Sequence, residues 1–262
     1  MKPLESRLRE LRDAGRKALV PYFVAGLTPD WTRHVEAAVL GGADAVEIGV
    51  PFSDPMMDGV VIQEGGLRAL ERGTTFESIC QELDEMTTEV PLIAMTYYNI
   101  FLHYGLSRAA GRLSQAGVSG AIVPDLSLEE SAPWRRACDE HDVATVFLVA
   151  PSTPPDRVAA LAQRTEGFAY AAARMAVTGA ARDAGEAERV VSSLRAVSDV
   201  PVYVGIGITT PEDAARVVSF SDGVIVGSAL VKRILDGADT EDVETLVRSF
   251  REAIDRGSTT GS

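Results

Sequence analysis

Short apolar runs recur along the chain, each bounded by turn residues or by a helical pattern. They cover Ala18–Val24, Asp44–Val50, Pro91–Thr96, Gly120–Val123, Ala144–Val149, Gly167–Ala172, Pro201–Val204 and Gly223–Val226. A strand apolar on both faces belongs to a parallel sheet covered on both sides. Between these runs the period lengthens to that of a helix. The helical stretches are Asp30–Leu40, Val61–Glu71, Thr74–Glu85, Leu106–Gln115, Glu129–Glu140, Pro155–Ala162, Ala187–Val197, Pro211–Val218, Ala229–Leu235 and Asp242–Ile254. Gly41-Gly42 suits a helix end, Thr74 or Thr75 an N-cap and Pro211 a first turn. Before the first strand, Leu4, Leu8 and Leu11 mark an amphipathic helix over residues 4–14, suited to covering the bottom of a barrel.

Eight strands alternating with helices, without a composition break, predict an α/β fold: a single (β/α)8 TIM barrel with extra N-terminal and loop helices. The expected domain is 1–256, and the small polar residues 257–262 are expected to fray as a flexible tail. A doubly wound open sheet is the alternative. It usually carries a Gly-rich turn after its first strand, and Ala25-Gly26-Leu27-Thr28 is no such fingerprint.

Composition narrows the function classes. With 46% hydrophobic and 24% charged residues, the chain has the make-up of a globular enzyme. A net charge of −13 argues against nucleic acid, whose phosphates require clustered cations. The charged N-terminus has no signal core, and no window reaches the roughly 18 apolar residues of a membrane span. The expectation is a cytoplasmic protein without nucleic-acid or membrane partners. Cys80 and Cys138 fall in helical patterns and read as buried small hydrophobes.

Barrel enzymes carry their chemistry on the loops that follow the strands. After the second strand stands Glu47, then a loop that Pro51 and Pro55 stiffen and that ends at Asp58-Gly59. A carboxylate at the end of a buried strand is costly unless it is paired or used. Glu47 is therefore expected to have a raised pKa and to give or take a proton, with Asp58 folding back over the mouth. The plainer readings are a hydrogen bond from Glu47 to nearby backbone and a turn role for Asp58. Gly207, Gly227 and Ser228, after the last two strands, suit phosphate held by backbone N–H groups, or else only make tight turns. The three lysines, Lys2, Lys17 and Lys232, all lie away from strand C-terminal ends, which removes a Schiff-base aldolase. His34, His103 and His141 stand alone on or beside helices, so no metal and no cofactor are expected.

These residues carry a family likeness. Gly49-Val50-Pro51-Phe52-Ser53-Asp54-Pro55, Asp58-Gly59 and Ile62-Gln63 resemble the signature of the tryptophan synthase alpha subunit family. Met95-Thr96-Tyr97-Tyr98-Asn99, Val123-Pro124-Asp125-Leu126, Phe147-Leu148-Val149-Ala150-Pro151 and Val177-Thr178-Gly179 follow in the same order. The resemblance runs from about Leu4 to the last helix. It implies retro-aldol cleavage of indole-3-glycerol phosphate to indole and glyceraldehyde 3-phosphate. It makes Glu47 the general acid and base and Asp58 the acceptor for the indole N–H. It also places Tyr22 against the indole, Tyr170 near Glu47, Thr178 on a closing loop, and Gly179, Gly207, Gly227 and Ser228 at the phosphate.

The same likeness implies a beta subunit partner in an α2β2 complex. Departures from the family pattern gather in the loops. Met56-Met57 replaces a Leu-Ala-like pair; Val60, Ile100 and Ser127 stand where proline is usual, Val24 for Thr, Leu27 for Asp, Ala173 for Ser and Ala176 for Gly. Ile206 stands for Phe beside the indole and would enlarge the pocket. These departures raise two alternatives: a freestanding lyase that releases indole without a beta partner, or, from another class, a non-catalytic ligand-binding regulatory subunit. A different phosphosugar isomerase would expect a second acid or base on the fifth or sixth strand, which Ser152 and Arg174 do not supply.

Overall fold

The computed structural model describes residues 1–172, 184–205 and 207–259. The strands among these residues are all parallel and form one sheet, in the order β5-β4-β3-β2-β1-β9-β8-β7-β6. The strands are β1 (Ala18–Val24), β2 (Val46–Gly49), β3 (Leu92–Met95), β4 (Val118–Ile122), β5 (Ala144–Val146), β6 (Leu148–Val149), β7 (Ala169–Ala172), β8 (Val202–Gly205) and β9 (Gly223–Val226). β5 and β6 are two parts of the one strand expected over Ala144–Val149. Their break is at Phe147, whose amide donates to the Thr165 hydroxyl at 2.9 Å. β5 pairs with β4 and β6 with β7, so the ring comes round as the eight-stranded barrel that the sequence predicts.

The amphipathic first helix, α1 (Pro3–Asp13), buries Leu4, Leu8 and Leu11. Leu4 seals the bottom of the barrel. A Cβ added to Gly120 in β4, or to Gly167 just before β7, would collide with its side chain. Three carboxylates brace the same rim. Each stands just before one strand and accepts the first amides of the strand beside it. Asp44 takes Leu19 N at 2.9 Å, Glu166 takes Thr145 N at 3.0 Å and Asp222 takes Val202 N at 2.9 Å. Each also has a cation: Arg16 and Arg251 on Asp44, Lys2 on Glu166, and Arg195 on Asp222. A buried carboxylate is tolerated when it is paired and hydrogen-bonded in this way.

The outer helices follow the sequence pattern, with shifted ends. α2 (Trp31–Leu40), α3 (Val60–Glu71), α4 (Phe76–Asp84), α6 (Leu106–Gln115), α8 (Pro155–Ala162) and α10 (Pro211–Val218) lie close to their expected spans. One helix was not expected: α5 (Tyr98–Tyr104), whose first amide donates to Asp125 Oδ1 at 2.9 Å. It is about two aromatic-rich turns, too short for a periodic signal. Tertiary packing holds it, with Phe101 stacked on Trp134 at 4.5 Å between ring centroids. α7 (Ala132–Asp139) starts three residues later than the expected Glu129, with Pro133 in its first turn. α9 (Ala184–Arg195) and α11 (Ser228–Leu235) complete the ring.

The last helix, α12 (Thr240–Thr259), overruns the expected boundary. Residues 257–259, assigned to a fraying tail, continue it. Gly257 lies so close to Ala215 of α10 that a Cβ there would meet its carbonyl oxygen at 2.9 Å. Packing therefore extends a helix that composition would end. Cys80 and Cys138 are buried thiols, as expected, and burial pushes Cys80 up to about 12. No helix among the described residues is long and apolar enough to cross a membrane.

Leu4→Ala would leave a void against Gly120 and Gly167. Urea denaturation of this variant should show a loss of about 2–5 kcal/mol of unfolding free energy, with barrel-mouth chemistry unaffected at temperatures where it stays folded.

Candidate functional site

Glu47 is the second residue of β2, in register with Tyr22 of β1 and Ile93 of β3. Alternation along a strand turns its side chain into the barrel, where it is 1% exposed. The hydrogen bond to nearby backbone weighed above is not what Oε2 makes: this buried atom has no hydrogen-bond partner among the described residues. Burial, and then the Asp58 carboxylate, push Glu47 from 4.5 to about 8. The raised pKa expected from the sequence is borne out, with desolvation as its larger cause.

Asp58 reaches the same space from the loop after β2. It is half-buried, and burial raises its pKa while a hydrogen bond from Tyr97 opposes that rise. Tyr97, at the end of β3, donates to Asp58 Oδ2 at 3.1 Å and accepts from Met57 N at 2.8 Å. On the other side of the loop, Gln63 Nε2 donates to the carbonyls of Pro55 at 3.2 Å and Asp58 at 2.9 Å. Sequence reasoning did not assign Tyr97 to the site. Its position in the strand-end set Tyr97-Tyr98-Asn99 was the available signal.

Two further tyrosines flank Glu47 in matching ways. Tyr22 of β1 lies over Gly49 of β2, and Tyr170 of β7 lies over Gly205 of β8. In each case a Cβ on the glycine would overlap the phenol oxygen. Each glycine is two residues beyond its tyrosine's register partner, Glu47 for Tyr22 and Tyr203 for Tyr170. Burial raises both phenols well above their ordinary value, and the Glu47 and Asp58 carboxylates add to the rise.

These groups share one cavity of about 490 Å³. Tyr22, Glu47, Asp58, Tyr170, Gly207, Gly227 and Ser228 all line it, together with apolar side chains that include Ile62, Met95, Leu148 and Ile225. Gly207 has φ +83°, a backbone state that glycine adopts without strain. Gly227 caps α11, so the first amides of that helix stand at the cavity wall. A helix N-terminus with open amides is an anion site by its dipole and its donors. Thr178, Gly179 and Ile206 lie outside the described residues. Among the described residues, no three His, Cys, Asp or Glu side chains are grouped to hold a metal ion.

The site thus pairs a protonatable buried carboxylate with a second carboxylate, an apolar slot and a helix N-terminus at the cavity wall. Sequence comparison points the same way. The family model for the tryptophan synthase alpha chain matches residues 8–256. The chain belongs to the tryptophan synthase alpha chain family. It is 44% identical over 242 residues to the alpha chain of Streptomyces coelicolor, covering 90% of this chain and 89% of that one. It is 41% identical over 257 residues to that of Methanosarcina mazei, covering 96% and 94%. Among solved structures, tryptophan synthase of Mycobacterium tuberculosis superposes with a TM-score of 0.89 at 36% identity, over 97% of this chain and 98% of that chain. The alpha subunit of Legionella pneumophila gives 0.89 at 33% identity, over 98% and 99%. This chain is accordingly a carbon–carbon lyase of tryptophan biosynthesis that cleaves indole-3-glycerol phosphate.

The Glu47 pKa makes a stability prediction. Its folded value lies above its ordinary one, so the folded state binds more protons between about 4.5 and about 8. Stability is therefore lost as pH rises through that window. Glu47→Gln removes the ionisation. In denaturant titrations the variant should gain on the parent from pH 4.5 to 8, with no further gain above that range.

Proposed function

We propose that Glu47 carries the cleavage by acid–base chemistry without a metal, with Asp58 as its electrostatic partner. What carries this reading is the unpartnered Oε2 of a buried carboxylate inside the cavity. With a pKa of about 8, Glu47 starts protonated at neutral pH. It gives that proton to the indole ring carbon bearing the side chain, and the ring becomes an electron sink. Asp58 accepts the indole N–H and stabilises the positive charge that develops there. The Glu47 carboxylate then takes the proton of the adjacent side-chain hydroxyl as the carbon–carbon bond breaks. Indole and glyceraldehyde 3-phosphate leave, and Glu47 is protonated again.

The phosphate sits at Gly207, Gly227, Ser228 and the N-terminus of α11; Gly179, which the family resemblance adds to this set, lies outside the described residues. Tyr22 and Tyr170 form the walls of the indole slot. Ile206 and Thr178 lie outside the described residues; the family resemblance assigns the first to the indole and the second to a closing loop. Glu47→Gln should lower kcat by about 10²–10⁴-fold. Asp58→Asn should lower it by about 10²–10³-fold. Indole release from indole-3-glycerol phosphate by the purified chain is the measurement. Parent-like turnover in Glu47→Gln would sink the assignment and revive a purely ligand-binding role.

The partner on this reading is a tryptophan synthase beta chain, docked over the barrel mouth. At the rim of the cavity, which Met56 and Met57 help to line, Met56, Met57 and Val60 are 81%, 57% and 78% exposed. Large apolar side chains held out on a loop that Gln63 and Tyr97 fasten suit a surface that a partner covers. A cognate beta chain should raise the rate of cleavage. Strong turnover that the beta chain leaves unchanged would favour the freestanding lyase instead.

A further inference from the structure

We propose that Tyr97 is a positioning residue that selects which oxygen of Asp58 meets the substrate. The inference rests on the role given to Asp58 above.

A phenol has one proton and two lone pairs. On Tyr97 one lone pair takes the Met57 amide at 2.8 Å, and the proton goes to Asp58 Oδ2 at 3.1 Å. The amide thus fixes the direction of the phenol's own bond, since an oxygen already accepting from a backbone N–H turns its proton elsewhere. Oδ2 is engaged in this way, while Oδ1 accepts no hydrogen bond among the described residues. A carboxylate held by one oxygen presents the other in a fixed direction, as an acceptor for an N–H must be presented.

The phenol is itself held. Its ring stacks on Phe52 with centroids 5.0 Å apart and planes inclined by 25°. Phe52 and Met57 lie on the same loop, so Tyr97 grips that loop at both ends of its turn while remaining anchored to β3. Gln63 grips the backbone of the same turn from α3. Without the phenol, the Asp58 side chain would keep its place in the chain and lose its orientation.

The charge environment gives the bond a readable signature. The titratable groups facing Asp58 are Glu47 from β2, Tyr22 from β1, Tyr170 from β7 and Tyr97 from the end of β3. Of these, Tyr97 alone donates a hydrogen bond to it among the described residues. A donor to a carboxylate stabilises the charged form. Its removal raises the pH at which Asp58 becomes competent.

The experiment is Tyr97→Phe in the full chain, with kcat and KM for indole-3-glycerol phosphate followed against pH. Phenylalanine keeps the volume and the stack on Phe52 and removes both hydrogen bonds. We expect kcat/KM to fall roughly 10- to 100-fold, the factor expected for a hydrogen bond to a charged group. The loss should fall mainly on kcat, and the acid limb of the profile should move to higher pH. Phe52→Leu, which keeps both hydrogen bonds and gives up the stack, should leave that limb in place. In an Asp58→Asn background, Tyr97→Phe should add little. A full additional loss in that background, an unmoved acid limb, or an equal shift from Phe52→Leu would each overturn the inference. Parent-like activity of Asp58→Asn would instead overturn the role of Asp58 itself, and this inference with it.

Discussion

A carboxylic acid inside an apolar barrel, with one oxygen unpartnered, is the constraint around which this protein is arranged. Burial, with the Asp58 carboxylate adding to it, makes Glu47 retain its proton near neutrality. Any water-filled or cation-lined version of the same cavity would lose that property. The strands must therefore close, the bottom must be sealed, and the groups around Glu47 must leave it unsatisfied. Leu4 seals the bottom, and the ring from β5 through β1 to β6 supplies the closure.

The two ends of the barrel treat acidic residues in opposite ways. At the N-terminal ends of the strands, Asp44, Glu166 and Asp222 each hold a backbone amide and a cation. Their charges are neutralised locally, and they join one strand to the next. Toward the mouth, Glu47 within β2 and Asp58 on the following loop have no cation beside them in the described structure; burial raises the pKa of both, and the Asp58 carboxylate adds to the rise at Glu47. Acidic residues are paired with cations at one end and left without them at the other among the described residues, a division that parallel barrels allow because the loops that follow their strands all emerge on one face.

Small residues make that reactive end possible. Gly49 and Gly205 leave space in which the rings of Tyr22 and Tyr170 lie flat along the neighbouring strands, on either side of Glu47. An alanine at either glycine would displace a phenol into the cavity. Gly227 opens the start of α11 in the same region. The cavity is thus shaped as much by missing Cβ atoms as by the aromatic groups that fill the gaps.

Much of this could be read in the chain itself. Hydrophobic periodicity is local, so the alternation of strands and helices follows from the order of residues alone, whereas Glu47, expected after the second strand, is the second residue of β2. The family signature in the loop from Gly49 to Gln63 is local too. Other features depend on partners remote in sequence. The split at Phe147 comes from Thr165, eighteen residues later. Helix α5 is held by Asp125 and Trp134, and α12 continues past Gly257 because Ala215 lies against it. The sequence by itself determined the barrel and the family to which the chain belongs. Only the tertiary structure decided that Glu47 Oε2 stays unpartnered and that Tyr97 engages Asp58. Burial and hydrogen bonding across 39 residues of chain are properties of the packed whole, not of any segment within it.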